Sequence, residues 1–265
     1  MDYSSYAVST ANITTMVITL VICLALPVGL AVCWKIKSRA KLSACFIGCA
    51  TFIIFALILE QILHVVVLTL TGTLLTDNLW FRALYGGLAA GLFEETGRFL
   101  AMRFCMRKNL EKENAIMYGI GHGGIEAILI TGMTYVSNLI LAATINSGGL
   151  GVMMSAVDEA TREILFAQVS QLWELPASQF LLAGVERISA IFLHICLSYL
   201  VFRAVQGKKI GFYLLAVFIH FLVDAGTILL IEVIPVAAVE GILLALVIVF
   251  TAVTAIYYRR DNKNI

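Results

Sequence analysis

The sequence predicts an all-α protein: a polytopic bundle of about seven transmembrane helices with an amphipathic helix on its outer face. Three observations predict it. Of 265 residues, 61% are hydrophobic and 13% charged, with a mean hydropathy of +0.96; a soluble domain holds about 45–50% apolar and about 25% charged residues. Seven stretches reach the length of about 20 apolar residues that a bilayer core requires. The basic residues fall on alternate connections between them. This composition excludes a soluble globular domain and a disordered chain. A net charge of +1 offers no basic surface to a polyanion, so nucleic acid is excluded as a partner.

In order, the stretches are 14–34, 43–70, 81–104, 115–142, 178–203, 210–231 and 233–258. Each is expected to be helical, because a lone strand in lipid would leave its backbone groups unpaired. The first follows MDYSSYAVSTANITT, which lacks the basic n-region of a cleaved signal peptide, so it reads as a retained helix. The second is long enough to tilt. Glycines crowd the third (Gly86, Gly87, Gly91) and the fourth (Gly119, Gly121, Gly123, Gly124), as expected where helices approach closely. The last two are joined by a tight turn at Glu232–Pro235. With no internal repeat, one membrane domain is expected to fill residues 1–265.

Lys35, Lys37, Arg39 and Lys41 follow the first stretch; Arg103, Arg107, Lys108 and Lys112 the third; Arg203, Lys208 and Lys209 the fifth; Arg259, Arg260 and Lys263 the last. Those 14 of the 18 basic residues mark one side, which the positive-inside rule makes cytoplasmic. The expected protein is therefore a multi-pass protein of a bacterial plasma membrane, with its N-terminus outside and its C-terminus inside. The outer connection 143–177 is too long for a plain link. It opens with a flexible NSGGLG and continues as a helix over about 152–175, with Val157, Leu165, Val169 and Leu172 set against Asp158, Glu159, Arg162 and Glu163. Such a helix suits the interface, with Trp173 as an anchor, either as a surface element or as a lid. The six cysteines lie in or beside apolar stretches and form no CxxC pair, so they read as small buried hydrophobes.

The chemistry lies in the charges left inside the stretches. Each costs about 2.5–3.5 kcal/mol at mid-membrane. The third stretch carries Glu94, Glu95 and Arg98; the fourth, His122 and Glu126; the fifth, Glu186, Arg187 and His194; the sixth, His220 and Asp224. Glu60 and His64 in the second read as structural or pathway-lining. Glu94 and Arg98, His122 and Glu126, and His220 and Asp224 are each four apart, so each pair shares a helix face. At 1.5 Å per residue, Glu94, His194 and His220 lie about 14–15 Å from the basic ends of their helices, His122 about 10 Å and Glu126 about 16 Å. These groups can meet in one layer, with Arg187 nearer the outer half.

Carboxylates and histidines in a dry layer suit several chemistries. A buried carboxylate can deprotonate water while histidines hold that water and donate to an oxyanion, which is peptide hydrolysis. Adjacent Glu94 and Glu95 face about 100° apart, so one is expected as the base and the other as an orienter or ion-pair partner of Arg98. Alternatively His122, His194 and His220 with a carboxylate could hold zinc, although no HExxH is present. A proton or ion pathway along the acidic and histidine groups, or ion pairs that only fix packing, would use the same residues.

FEETGR at 93–98, YGIGHGGIEA at 118–127, ERISAIFLH at 186–194 and HFLVD at 220–224 resemble the motifs of the bacterial YhfC family of intramembrane peptidases. That family is similar to a wider group holding the type II CAAX prenyl endopeptidases, the bacteriocin-processing immunity-type proteins and the PrsW proteases. The wider pattern is EExxxR or EExxK, FxxxH, then HxxxN or HxxxD. Glu94, Glu95 and Arg98 match it at the PrsW spacing with arginine for lysine, Tyr118 and His122 with tyrosine for phenylalanine, and His220 and Asp224 in the HxxxD form; His194 is extra. The resemblance implies an intramembrane protease in which Glu94 or Glu95 is the general base, His122 binds water, and His220 and Asp224 stabilise the oxyanion. Arg98, Glu126, Glu186 and Arg187 would support them. It leaves open a glutamate-type or a zinc-dependent enzyme. The implied partners are membrane lipid and a membrane-embedded or membrane-tethered peptide substrate. Two other readings stay open: a non-catalytic scaffold or immunity-type protein that keeps the fold, and a proton- or ion-coupled transporter.

Overall fold

The computed structural model describes residue 3 and residues 5–261; Met1, Asp2, Ser4 and 262–265, Lys263 among them, lie outside the described residues. The helices are α1 (Thr10–Ser38), α2 (Leu42–Thr71), α3 (Leu79–Leu100), α4 (Lys112–Asn146), α5 (Leu150–Ser155), α6 (Glu159–Glu174), α7 (Ala177–Gly207), α8 (Ile210–Leu230) and α9 (Val236–Asp261), with one helical turn at Leu74–Asp77. No strand occurs among the described residues. Stretches of π-helix interrupt α2 at Ile53–Glu60 and α4 at Ala127–Gly132, and a third, Ala101–Cys105, continues α3. Among the described residues, six helices (α1, α2, α4, α7, α8 and α9) are long and apolar enough to cross a membrane. The remaining long helix, α3, corresponds to the third expected stretch; Arg82, Glu94, Glu95 and Arg98 lower its apolarity.

The chain forms two compact units: Met1–Ala25 with Ala127–Arg187, and Leu26–Glu126 with Ile188–Ile265. The smaller has a core of Val8, Met16, Tyr135, Ile145, Leu150, Met154, Val169, Leu172 and Phe180. Side chains tie its backbone groups down. Asn12 Nδ2 donates to the carbonyls of Leu172 (2.8 Å) and Leu175 (3.1 Å). Thr19 and Tyr135 hydroxyls both donate to the Phe180 carbonyl, at 2.7 and 2.9 Å.

Two expectations for this region are corrected. NSGGLG closes α4 as a defined turn: Gly148 adopts φ +83°, its N–H donates to the Ile145 carbonyl and that of Gly149 to the Thr144 carbonyl, each at 2.9 Å. This is a Schellman cap, which needs glycine at the left-handed position. The single helix over 152–175 is two helices, α5 and α6, because Asp158 caps α6: its carboxylate accepts from the Thr161 N–H at 3.0 Å and the Thr161 hydroxyl at 2.8 Å. Those bonds hold the exposed Asp158 carboxyl below its usual range. Leu165, Val169 and Leu172 of α6 face the unit's core as the pattern predicts, and Trp173 rests on Tyr6 and Phe166, with ring centroids 5.0 and 5.8 Å away.

The larger unit is packed through glycine. A methyl at Gly48 of α2 would lie 2.2 Å from the Tyr118 carbonyl oxygen, and one at Gly121 of α4 only 2.1 Å from that of Cys45. On the other side of the same α4 segment, Gly119 and Gly123 meet the backbone of α7 at Ile195 and Ile191. Gly124 meets Pro27 of α1. Gly87 and Gly91 of α3 touch the α8 backbone at Phe221, Ala225 and Val217. Five helix backbones thus come close through glycine: α2 and α7 against α4, and α8 against α3. Toward the basic ends of these helices the core closes over Met102, Met106, Met117, Tyr118, Leu197, Val201 and Phe202, all essentially without exposed surface.

Gly121→Ala is expected to destabilise the protein by about 1–3 kcal/mol, because the backbone it strikes cannot rotate away. Gly241→Ala in α9, where nothing lies within 4 Å, is expected to leave stability unchanged or slightly raised. Thermal unfolding in one detergent compares the two.

Candidate functional site

Eight of the ten residues singled out from the sequence lie in the larger unit, on α3, α4, α7 and α8. Neighbouring residues on a helix point about 100° apart, and the two carboxylates of α3 diverge accordingly. Glu95 turns inward and is wholly buried with Arg98. Arg98 Nη1 donates to both Glu95 oxygens, at 2.6 and 2.8 Å, and its Nη2 lies 2.9 Å from His194 Nδ1. Glu95 Oε1 is also 2.9 Å from His220 Nδ1. Glu94 faces the other way, with Oε2 at 2.9 Å from His122 Nε2 and 3.9 Å from His194 Nδ1.

The three imidazoles form a row, with ring centroids 4.9 Å apart from His122 to His194 and 5.4 Å from His194 to His220. A carboxylate holds the far nitrogen of each of the last two. Glu126 Oε2 is 2.6 Å from His194 Nε2, and Asp224 Oδ2 is 3.4 Å from His220 Nε2. A guanidinium only donates, so His194 Nδ1 accepts from Arg98. Its proton then sits on Nε2, the nitrogen that faces the Glu126 carboxylate.

The structure brings these eight residues together and settles partners that spacing along a helix left open. His220 and Asp224 pair as their spacing predicts. Arg98 pairs with Glu95 at three residues rather than with Glu94 at four; both spacings lie on one helix side, and Glu95 is the carboxylate turned toward His220. Glu126, which shares a helix face with His122, meets His194. It is the last residue before the π-helical stretch of α4 and faces α7. Glu186 and Arg187 bind one another, with Arg187 Nε 2.5 Å from Glu186 Oε2, and belong to the smaller unit.

Two residues escaped the sequence reading. Phe52 sets its ring edge-on to His122 at 5.3 Å; a phenylalanine in an apolar stretch carries no signal of this. Glu240 is buried in α9, and the rule that charges inside a span need a role would have found it. Tyr118, noted as the tyrosine of the FxxxH-like match, stacks on His122 at 5.9 Å.

The donor set fits a divalent metal ion. Glu94, His122 and His194 are all buried and offer one carboxylate oxygen and two imidazole nitrogens within 4.8 Å of one another. Two histidines and one carboxylate are a ligand set that zinc accepts in open catalytic sites. His122 Nδ1 is buried without a hydrogen-bond partner, so this ring has a nitrogen to spare beyond its contact with Glu94. His220 lies outside this group and both its nitrogens face carboxylates; the His194 nitrogen nearest Glu94 is Nδ1, which faces Arg98 when no ion is held.

A family model described as YhfC intramembrane metalloprotease matches residues 22–256, a range that holds every residue of this cluster. A protein of Bacillus subtilis (strain 168) described as uncharacterized membrane protein YhfC is 40% identical over 207 residues, 77% of this chain and 79% of its own length. No solved structure matches.

Arg98→Met would strip the buried Glu95 of its guanidinium and leave it to His220, and a loss of about 3–5 kcal/mol is expected. Joint replacement of Glu95 and Arg98 by Gln and Met is expected to cost less than Arg98→Met alone, since no lone charge remains. A double-mutant cycle by thermal unfolding measures the difference.

Proposed function

Because this chain belongs to the YhfC family, we propose that it is a zinc-dependent intramembrane endopeptidase acting on membrane-embedded or membrane-tethered polypeptides. The observation that carries this proposal is the buried meeting of Glu94, His122 and His194 inside a bundle of membrane-spanning helices. An acid and two imidazoles facing one another in such a layer are costly unless they serve a ligand or a reaction. In this reading the basic helix ends face the cytoplasm of a bacterial cell.

Glu94, His122 and His194 would hold the ion, His194 through an Nδ1 that Arg98 Nη2 would first have to release; the ion would supply Lewis acidity to a peptide carbonyl. The remaining residues prepare the site. Glu126 holds the His194 ring so that Nδ1 faces Glu94 and His122. Arg98 neutralises Glu95 and, with no ion held, links it to His194. The Glu94 oxygen that does not hold the ion would take the proton that water loses on attack. His220 is gripped firmly on one side by Glu95 and loosely on the other by Asp224 at 3.4 Å. Its Nε2–H can therefore leave Asp224 for a developing oxyanion.

The test measures metal content and cleavage of a membrane-tethered reporter peptide on the same purified samples. Wild type is expected to carry one zinc per chain. Glu94→Gln, His122→Ala and His194→Ala are expected to lose both the metal and the cleavage. His220→Ala and Asp224→Asn are expected to keep the metal and lose at least about 100-fold in rate. Metal-free wild type that still cleaves, or folded wild type that binds no metal, overturns the assignment.

A further inference from the structure

Hydrolysis needs water, and the cluster lies deep in the bundle. On the side of the basic helix ends it is closed by apolar side chains: Met102, Met117 and Tyr118 have no exposed surface, and Leu197 and Phe202 almost none. On the opposite side, toward the turn between α2 and α3, the neighbouring side chains are polar. Glu60 ends the π-helical stretch of α2 and is 6% exposed. It lies within electrostatic reach of Glu94, His220 and Asp224. One turn further along α2, His64 Nε2 is 3.4 Å from Glu60 Oε1, and His64 Nδ1 is 2.7 Å from the Tyr85 hydroxyl on α3. The His64 side chain is 27% exposed and that of Asp224, beside His220, is 34% exposed.

The helix geometry gives the line its direction. Glu60 lies about 17 Å from the Thr71 end of α2 and His64 about 10 Å, while Tyr85 lies about 9 Å from the Leu79 end of α3. Three hydrogen-bonding side chains in succession, on the face of α2 and α3 that leads to the cluster, are unfavourable against lipid and favourable against water. None of the three is needed to hold Glu94, His122 or His194, which have their own partners.

We propose that Glu60, His64 and Tyr85, with Asp224 at the inner end, form a polar water channel that supplies the cluster from the membrane face opposite the basic helix ends. That the water is consumed in hydrolysis rests on the proposed protease activity; the channel itself does not. Water on this line would also give the protons released at the cluster a way out that does not cross the apolar closure.

The channel is tested by thiol labelling of the full-length protein in cell membranes, with the six native cysteines replaced. A charged, membrane-impermeant methanethiosulfonate reacts with thiolate, which forms only where water reaches. Single cysteines replace Glu60, His64, Tyr85, Met102 and Met117. The expected result is labelling at 60, 64 and 85 from the face of the α2–α3 turn, at least about tenfold faster than at 102 and 117. Labelling at 102 or 117 as fast as at 64 and 85, or silence at both 64 and 85, overturns the channel. If Glu60→Cys fails to fold, His64→Cys and Tyr85→Cys carry the comparison, since both side chains are partly exposed. Zinc content and cleavage of the wild type are measured alongside. Labelling as expected without zinc or cleavage removes the protease and leaves the channel; cleavage without labelling removes the channel and leaves the protease.

Discussion

The ion pair between Glu95 and Arg98 is the constraint on which the larger unit depends. Both side chains are entirely buried, and burying two charges is repaid only when geometry and further hydrogen bonds are good. Here each partner reaches a histidine as well: Glu95 reaches His220 on α8, and Arg98 reaches His194 on α7. The pair therefore joins three helices. It also leaves Glu94, one residue earlier, to turn toward α4 and meet His122. Two adjacent acids on one helix thus do opposite jobs, one neutralised and structural, the other presented to the imidazoles.

The second constraint is steric. Side chains as short as these carboxylates and imidazoles meet only if the helices carrying them come very close. Gly48 and Gly121 let α2 and α4 touch, Gly119 and Gly123 admit α7, and Gly87 and Gly91 admit α8 against α3. In lipid, helix association gains little from hydrophobicity, and close packing with internal hydrogen bonds takes its place. The glycines and the polar cluster are therefore one device: the first permits the approach, and the second rewards it.

Much of the site was legible in the sequence because charge inside an apolar stretch is rare and expensive. That rule alone isolated Glu94, Glu95, Arg98, His122, Glu126, His194, His220 and Asp224, and counting residues from the helix ends put them in one layer. It was less able to name partners. Arg98 was left open between Glu94 and Glu95, and Glu126 shares a face with His122 yet meets His194, because a face offers several partners across the bundle. Phe52 was invisible, since its role against His122 is a matter of packing. In the smaller unit, Asp158 and Gly148 broke what hydropathy read as one helix and one flexible link; both are backbone signals, a cap and a left-handed turn, to which a hydropathy reading is blind.

The sequence by itself determined the seven long helices, the alternation of basic ends and the residues that could carry chemistry. These follow from local properties: apolar length, charge count and helical period. Only the tertiary structure decided that Glu95 is neutralised while Glu94 is presented, that His194 rather than His220 joins His122 beside Glu94, and that polar side chains lead away from the cluster on one side while apolar ones close the other. Those outcomes depend on which helices are neighbours and how they are rotated. Contacts between residues a hundred positions apart set both, and a period along one helix cannot record them.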